Sequence, residues 1–212
     1  MTALAALSVS DFSLALASDA PAPGGGSAAA AAGASGAALL AMVVRLTLGK
    51  EKYRTSWQEL EPLAFRLEEA RVRLLELVDE DTKAFDAVVA ARRLPKDAPE
   101  AAARRTRAVD EANIVATTVP MQTAFFAHEA LKTAPLVLGK GNPNAASDAW
   151  VAALLLHGAA LGALANVRIN LPGVSDPGLS RGFRDDADDL ERRAVEALEK
   201  TRALAKARRL TL

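Results

Sequence analysis

The chain has 212 residues, with 26 Lys plus Arg against 26 Asp plus Glu, only 4% aromatic residues and no cysteine. Balanced charge gives no general attraction to nucleic acid or to an anionic membrane, so neither is an expected partner. Without cysteine there is no disulfide framework, zinc–thiolate site or thiol nucleophile, and the two histidines, His128 and His157, make a histidine-rich metal site unexpected.

The N-terminal segment has no basic stretch followed by an apolar core, so we expect no secretory signal and a cytoplasmic protein. A short helix is predicted over residues 11–18, and the prolines of DAPAPGGG end it. Ser27 is predicted to be the N-cap of the next helix, which should run to about Leu48 and stop at Gly49.

Three consecutive glycines, Gly24, Gly25 and Gly26, stand immediately before that helix. Ordering them costs about 1–2 kcal/mol each in backbone entropy, whereas a plain turn needs only one glycine. Free N–H groups at a helix start can hold an anion or the polar edge of a ligand. No strand precedes the segment and Lys50 lies too late for a P-loop, so the pattern does not identify the ligand. A flexible turn is the alternative.

Residues 27–44 carry no charge, and this length is close to what a membrane-spanning helix needs. Most of the segment is Ala, Gly and Ser, which contribute little transfer energy but let two helix backbones approach closely. The composition therefore predicts a buried, close-packed helix in preference to a transmembrane one.

The rest of the chain has helical periodicity and no strand–turn–strand pattern. We predict an all-α fold, a single-domain helical bundle whose two central helices are rich in small residues. The later predicted elements are a long amphipathic helix at 56–92, a helix at 99–132 that Pro120 kinks or restarts, a loop at 134–144, a second small-residue helix at 143–170 capped by Asn142, and a closing helix at 185–208.

In the second small-residue helix, Asp148, Ala152, Ala159, Asn166 and Asn170 fall on one stripe at about 100° per residue. A carboxylate at one end, two amides at the other and small residues between them suit a cleft in which a flat ligand lies. The alternative is that Asp148 only favours the helix start through the macrodipole. His157 points the opposite way and is expected to pack or cap.

Two further candidates come from the first half of the chain. Asp81 interrupts the apolar stripe of the long amphipathic helix, so its charge must be paired or must meet a ligand. A buried pair with arginine or lysine is the alternative. Lys50 and Tyr53 follow the first small-residue helix, where a lysine can instead simply complement the helix C-terminus.

Taken together and in order, four segments resemble the cyclodeaminase domain of formiminotransferase-cyclodeaminase and its stand-alone bacterial relatives, the methenyltetrahydrofolate cyclohydrolases. They are APAPGGGSAAAAAGASGAALLAMVVRLTLGKEKY, DEDTKAFDAVVAARRLPK, ATTVPM and GNPNAASDAWVAALLLHGAALGALANVRINL. The resemblance covers nearly the whole chain, and its specificity lies in the ordered set. No counterpart of the formiminotransferase domain is expected. Trp150 stands where we expect the family to carry glycine, and a ring there would narrow the pocket.

The resemblance implies one helical domain over residues 1–212, a homodimer or higher homo-oligomer, a folate substrate bound near the glycines, and no metal or other cofactor. It implies Asp148 as the catalytic carboxylate and Lys50 as a proton shuttle. The residues that it implies for substrate binding are Gly24, Gly25, Gly26 and Ser27 of the glycine motif, Tyr53 of GKxKY, Asp81 of DxxAF, Asn142, Asn144 and Ser147 of NPNxxSD, and Asn166 and Asn170 of NVxIN.

The implied activity is hydrolysis of methenyltetrahydrofolate to formyltetrahydrofolate, or conversion of formiminotetrahydrofolate to methenyltetrahydrofolate and ammonia. A carboxylate beside the cationic amidinium carbon would stabilise it and could take a proton from water. One constellation can serve both reactions, and the sequence does not separate them. The alternative is a non-catalytic folate-binding or oligomeric helical interaction protein, which accounts for the alanine-rich helices but not for the triple glycine or Asp81.

Overall fold

The structure is a computed structural model that describes residues 3–210. Within that range the chain forms α-helices and short 3-10 turns and no strand, so the predicted all-α fold is confirmed. The α-helices are α1 (Val9–Leu16), α2 (Gly25–Leu48), α3 (Arg54–Arg92), α4 (Pro99–Leu131), α5 (Ala134–Lys140), α6 (Ala146–Asn170) and α7 (Pro177–Ala207).

Helices α2 and α6 are the two small-residue helices, and they pack against each other in antiparallel directions. Gly25 lies level with Asn166, and Gly36 lies level with Ala152. A Cβ at Gly36 would come within 2.7 Å of Leu156 Cγ and 3.0 Å of the Ala152 carbonyl oxygen. Glycine at this position therefore allows the close approach of the two backbones.

The other long helices cover this central pair. Helix α3 packs on α2, α4 packs on both α2 and α6, and α7 packs on α6 and α4. The largest fully buried side chains are leucines contributed by every long helix except α7, and their burial is the main hydrophobic contribution to stability. They include Leu40, Leu60, Leu67, Leu74, Leu131, Leu156 and Leu164.

Pro120 lies inside α4, which runs without a restart from Pro99 to Leu131. A proline has no N–H, so the carbonyl of Ala116 loses its usual partner one turn later. Asn170 replaces that partner, because its Nδ2 donates to the Ala116 carbonyl oxygen at 2.6 Å. The helix tolerates the proline because a side chain from α6 satisfies the freed acceptor.

Two boundary predictions are wrong. The predicted loop at 134–144 contains α5, because Pro135 lies in the first turn, where its missing N–H is not needed, and Val137 and Leu138 are buried. The closing helix begins at Pro177 rather than 185, because Asp176 is its N-cap and accepts from Leu179 N at 2.7 Å.

By length and composition, Gly25–Leu48 and Pro143–Gly173 are apolar enough to cross a membrane. In the bundle, 61% of the most apolar stretch of Gly25–Leu48 is buried, and 44% of the most apolar stretch of Pro143–Gly173 is buried. The core helices of soluble proteins pass the same test, so this finding is weak evidence for a membrane span. It also shows that each helix keeps part of its apolar surface uncovered.

Candidate functional site

A cavity of about 510 Å³ opens where the start of α2, the C-terminal part of α3, the middle of α4 and the end of α6 meet. It lies at the helix α2 end that carries the three glycines. Its lining residues are Pro21, Ala22, Gly24, Gly25, Gly26, Asp81, Ala84, Phe85, Val88, Arg92, Asn113, Ala116, Asn166, Ile169, Asn170, Pro172 and Gly173.

The first turn of α2 faces this cavity with unpaired donors. Gly24 is the N-cap, and the first helical bond runs from Ala28 N to the Gly24 carbonyl oxygen at 3.0 Å. The prediction that Ser27 caps the helix is wrong, because the helix begins two residues earlier, at Gly25. Within residues 3–210 the N–H groups of Gly25 and Gly26 have no hydrogen-bond partner, and they carry the positive end of the helix dipole.

Asp81 reaches from α3 to the same turn. Its Oδ2 accepts from Ser27 N at 2.9 Å, which satisfies one N–H at the helix start. Ser27 Oγ lies 3.1 Å from that oxygen and 2.8 Å from the Val78 carbonyl oxygen, so its single O–H is shared between two acceptors. No arginine or lysine in residues 3–210 forms an ion pair with Asp81, so the expected alternative of a buried pair is wrong.

Burial raises the pKa of Asp81, and the hydrogen bonds from Ser27 oppose that rise. A carboxylate whose pKa is raised in a cavity is a better proton acceptor than a solvated aspartate. The second carboxylate oxygen, Oδ1, has no hydrogen-bond donor within the described part of the chain. Asp81 can therefore accept a proton or a hydrogen bond from a ligand.

The glycines fit this arrangement for two different reasons. A Cβ on Gly26 would lie 2.0 Å from Asp81 Oδ1, so only glycine lets the carboxylate approach the helix start. A Cβ on Gly25 would meet nothing closer than Asn166 Nδ2 at 3.6 Å, so a side chain at that position would occupy cavity space.

Three asparagine amides complete the polar lining. Asn166 donates to the Gly162 carbonyl oxygen at 2.8 Å, Asn170 donates to that of Ala116, and Asn113 donates to that of Gly173 at 2.8 Å. Because each amide nitrogen is engaged, each Oδ1 remains as an acceptor. Sequence reasoning missed Asn113, although a polar residue on the buried face of α4, between Ala112 and Thr117, was a usable signal.

Arg92 and Phe85 were also missed as lining residues. Phe85, a residue of α3, is 37% exposed and borders the cavity. Arg92 is the only basic residue in the lining, and within residues 3–210 it forms no ion pair. Asp81 and Arg92 thus place one charge of each sign around an otherwise neutral cavity.

The remaining predicted residues form a second cluster at the opposite end of α2 and α6, which we call the distal cluster. Tyr53 donates its hydroxyl to Asn142 Oδ1 at 3.0 Å, and Asn144 N donates to the same oxygen at 3.1 Å. The cluster consists of Lys50, Tyr53, Asn142, Asn144, Ser147 and Asp148. Asp148 and Asn166 are 18 residues apart on α6, about 27 Å along its axis, so one chain does not bring the two sets together.

The predicted ligand cleft along α6 is wrong for the same reason. Ala152 and Ala159, which lie between Asp148 and the two asparagines, are buried against α2. The stripe of small residues is a helix-packing surface, and only its Asn166 and Asn170 end reaches the cavity. Trp150 packs against the hydrophobic core and does not line the cavity.

Neither histidine belongs to the cavity. Burial lowers the pKa of His128 and of His157, and in each ring one buried nitrogen has no hydrogen-bond partner among residues 3–210. No group of three or more histidine, aspartate or glutamate side chains suited to a metal ion occurs in the described residues. The cavity's chemistry rests on one carboxylate, unpaired backbone donors, amide oxygens and one guanidinium group.

Comparisons with known proteins point to one family. The sequence profile described as Formiminotransferase-cyclodeaminase matches residues 8–189. A Methenyltetrahydrofolate cyclohydrolase of Methylorubrum extorquens is 41% identical over 80% of this chain and 81% of its own length. The Formimidoyltransferase-cyclodeaminase of Rattus norvegicus is 36% identical over 66% of this chain, a match that spans only 26% of the rat protein. The crystal structure of a formiminotetrahydrofolate cyclodeaminase from Thermotoga maritima superposes with a TM-score of 0.84 at 27% identity, covering 95% of this chain and 97% of that one.

Proposed function

This chain belongs to the formiminotransferase-cyclodeaminase family, and we propose that it is an enzyme of tetrahydrofolate one-carbon metabolism. Its reaction is either hydrolysis of methenyltetrahydrofolate to formyltetrahydrofolate or conversion of formiminotetrahydrofolate to methenyltetrahydrofolate and ammonia. The observation that carries the proposal is the cavity in which Asp81, the unpaired N–H groups of Gly25 and Gly26, and the amides of Asn166 and Asn170 converge.

In the hydrolytic reaction, water attacks the amidinium carbon that bridges two nitrogens of the folate. A C–O bond forms, one C–N bond breaks, one proton of water goes to the leaving nitrogen, and the other is released to solvent. Asp81 stabilises the cationic carbon and takes the proton from the attacking water. The raised pKa of Asp81 suits this role, because a general base works best when its pKa approaches the working pH.

In the deaminating reaction, the second folate nitrogen attacks the formimino carbon and passes through a similar tetrahedral carbon. The new C–N bond forms, the imino nitrogen leaves as ammonia, and its protons come from the attacking nitrogen and from solvent. The same carboxylate can accept and return these protons. The backbone donors of α2 and the amide oxygens bind the polar edge of the pteridine in both cases.

We propose that neither reaction uses a cofactor, because water or ammonia is exchanged without a change in oxidation state. We further propose that the chain acts as one cytoplasmic domain and as a homo-oligomer, with the folate as its only small-molecule partner. The uncovered apolar surface of α2 and α6 supports the oligomer.

The experiment supplies methenyltetrahydrofolate and formiminotetrahydrofolate separately and measures the rate above the uncatalysed background. We expect turnover of one of them; absence of turnover with both contradicts the proposed activity. A thermal-shift measurement separates binding from catalysis, since a ligand at 100 times its dissociation constant stabilises a fold by about 2.7 kcal/mol. Stabilisation without turnover would favour the non-catalytic folate-binding alternative.

A further inference from the structure

Helix α3 presents one continuous stripe of side chains to the cavity. The stripe repeats at steps of three and four residues, so its members lie on one face of the helix. It consists of Asp81, Ala84, Phe85, Val88 and Arg92. Its groups are ordered along the helix: a carboxylate comes first, three apolar side chains follow, and a guanidinium group ends the stripe.

Arg92 stands at an exposed edge of the cavity, and its charge has no partner in the described part of the chain. It forms no ion pair within residues 3–210, and no other residue in that range that lines the cavity is basic. The end of the helix is held in place, because Arg105 Nε donates to the Arg92 carbonyl oxygen at 3.1 Å. A guanidinium group offers five N–H donors in a planar fork that matches a carboxylate. This edge of the cavity can therefore bind an anionic group of a ligand.

Between the two charges, the cavity wall is apolar. Ala84, Phe85 and Val88 of α3 line it together with Ala116 of α4. Val88 and Ala116 belong to one small apolar cluster, in which α3 and α4 pack against each other at this level. A flat ring laid on these side chains loses contact with water and covers the exposed part of Phe85. The middle of the cavity thus suits an aromatic group.

The length of α3 between the two charges sets the length of the ligand. Arg92 lies eleven residues after Asp81, about 16 Å along the helix axis. Both side chains lean toward the start of the helix and the arginine is the longer, so the two charged groups come to roughly 10–14 Å from each other. A volume of about 510 Å³ lies within the range of about 300–1,000 Å³ that is usual for small-molecule sites.

We propose that Arg92 binds the α-carboxylate of the folate's glutamate and so fixes the direction in which the substrate lies. The assignment deepens the proposed function and rests on it for the identity of the substrate. A tetrahydrofolate carries its one-carbon unit at the pteridine, followed by the p-aminobenzoyl ring and then the glutamate. The one-carbon unit and the α-carboxylate are about 10 Å apart at ordinary bond lengths. The order of groups along α3 therefore matches the order of groups in the substrate.

In this orientation the cationic carbon lies at Asp81, the ring lies on Phe85 and Val88, and the glutamate lies at Arg92. The pteridine is left to the backbone donors of α2 and to the asparagine amides. Arg92 contacts the substrate far from the reacting carbon, so its contact is equally strong in the ground state and the transition state. Loss of such uniform binding raises KM and leaves kcat unchanged. Arg92 is thus a binding and specificity residue, whereas Asp81 acts on the reacting carbon.

The assignment is tested with pairs of substrates that differ only in the glutamate. Wild type, Arg92→Gln and Arg93→Gln receive the folate that wild type turns over and the corresponding tetrahydropteroate, which has no glutamate. Arg93 is the matched control, because it is the next residue, is also exposed and does not line the cavity. We expect wild type and Arg93→Gln to prefer the folate on the order of tenfold in kcat/KM, the usual effect of a hydrogen bond between charged groups.

Arg92→Gln should lose that preference through a higher KM for the folate, with the same kcat/KM as wild type for the tetrahydropteroate. A structural role of Arg92 predicts instead an equal loss with both substrates. Such an equal loss, an unchanged KM of Arg92→Gln for the folate, or a wild type that does not distinguish the two substrates overturns the assignment.

A binding measurement separates this assignment from the proposed activity. Calorimetry with 5-formyltetrahydrofolate and 5-formyltetrahydropteroate should show a preference of about tenfold for the folate in wild type and none in Arg92→Gln. Because the guanidinium group is exposed, the preference should decrease as the salt concentration rises. Preferential binding without turnover would contradict the proposed activity and support the assignment of Arg92. Turnover by a wild type that binds both compounds equally would contradict the assignment alone.

Discussion

At the scale of single residues, Gly26 and Asp81 approach so closely that position 26 has no room for a Cβ. Because a Cβ at position 26 would lie 2.0 Å from Asp81 Oδ1, Gly26→Ala must push the carboxylate away from the start of α2. We expect turnover to fall at least about tenfold while the helical circular-dichroism spectrum is retained. Unchanged kinetic constants for Gly26→Ala would show that the position of Asp81 does not matter.

The neighbouring glycine gives a different prediction. A Cβ added at Gly25 meets no protein atom closer than ordinary contact distance, and Asp81 is not among its near neighbours, so a valine there should fill cavity space without moving Asp81. Gly25→Val should therefore weaken folate binding strongly and leave the fold intact, as judged by equilibrium binding and circular dichroism. If affinity is retained, the glycine segment is only a turn.

The two histidines determine a pH dependence of stability. Burial lowers the pKa of both, so the unfolded chain binds protons more readily than the folded chain does. Their contribution to the free energy of unfolding is complete above the ordinary histidine pKa of about 6.5 and is lost as the pH falls below that value toward the lowered pKa of the folded chain. We expect the free energy of unfolding in urea to decrease from pH 7.5 to 5.5, and His128→Gln to weaken that dependence. An identical slope in the variant would contradict this assignment.

At the scale of elements, α6 supplies a hydrogen bond that α4 lacks because of its internal proline. Pro120 has no N–H to donate to the Ala116 carbonyl oxygen, and Asn170 Nδ2 donates to that oxygen instead. Asn170→Ala should leave a poorly paired carbonyl and cost about 1–3 kcal/mol in unfolding free energy. Asn166→Ala is the control and should cost less, because the Gly162 carbonyl that it contacts keeps its own helical bond. Equal losses for the two variants would count against this explanation.

The element types could be predicted from periodicity, but contacts between helices could not. The two small-residue helices follow from composition alone, and α3 begins two residues before its predicted start. The donor that replaces the missing N–H of Pro120 was not predictable, because Asn170 lies 50 residues away from the proline. The identity of the capping group at α2 was not predictable either, since Asp81 on another helix supplies the acceptor expected from Ser27.

At the scale of the whole molecule, the antiparallel packing of α2 and α6 decides which motif residues can meet. The glycines, Asp81, Asn166 and Asn170 lie at one end, and Lys50, Tyr53 and Asp148 lie at the other. These residues were predicted to form one site because the sequence does not show that the second small-residue helix runs antiparallel to the first. Asp81, expected only to bind substrate, is the carboxylate that the cavity of one chain contains.

Whether Asp81 acts on a folate in this cavity is decided by comparing the turnover rates of three proteins. Methenyltetrahydrofolate and formiminotetrahydrofolate are supplied separately to wild type, Asp81→Asn and Asp86→Asn, the last being an exposed aspartate on the same helix. We predict turnover of one folate by wild type and by Asp86→Asn, and a loss of at least about a hundredfold for Asp81→Asn with a melting temperature that is unchanged or higher. Wild-type rates in Asp81→Asn, or an equal loss in Asp86→Asn, would contradict a catalytic role of Asp81.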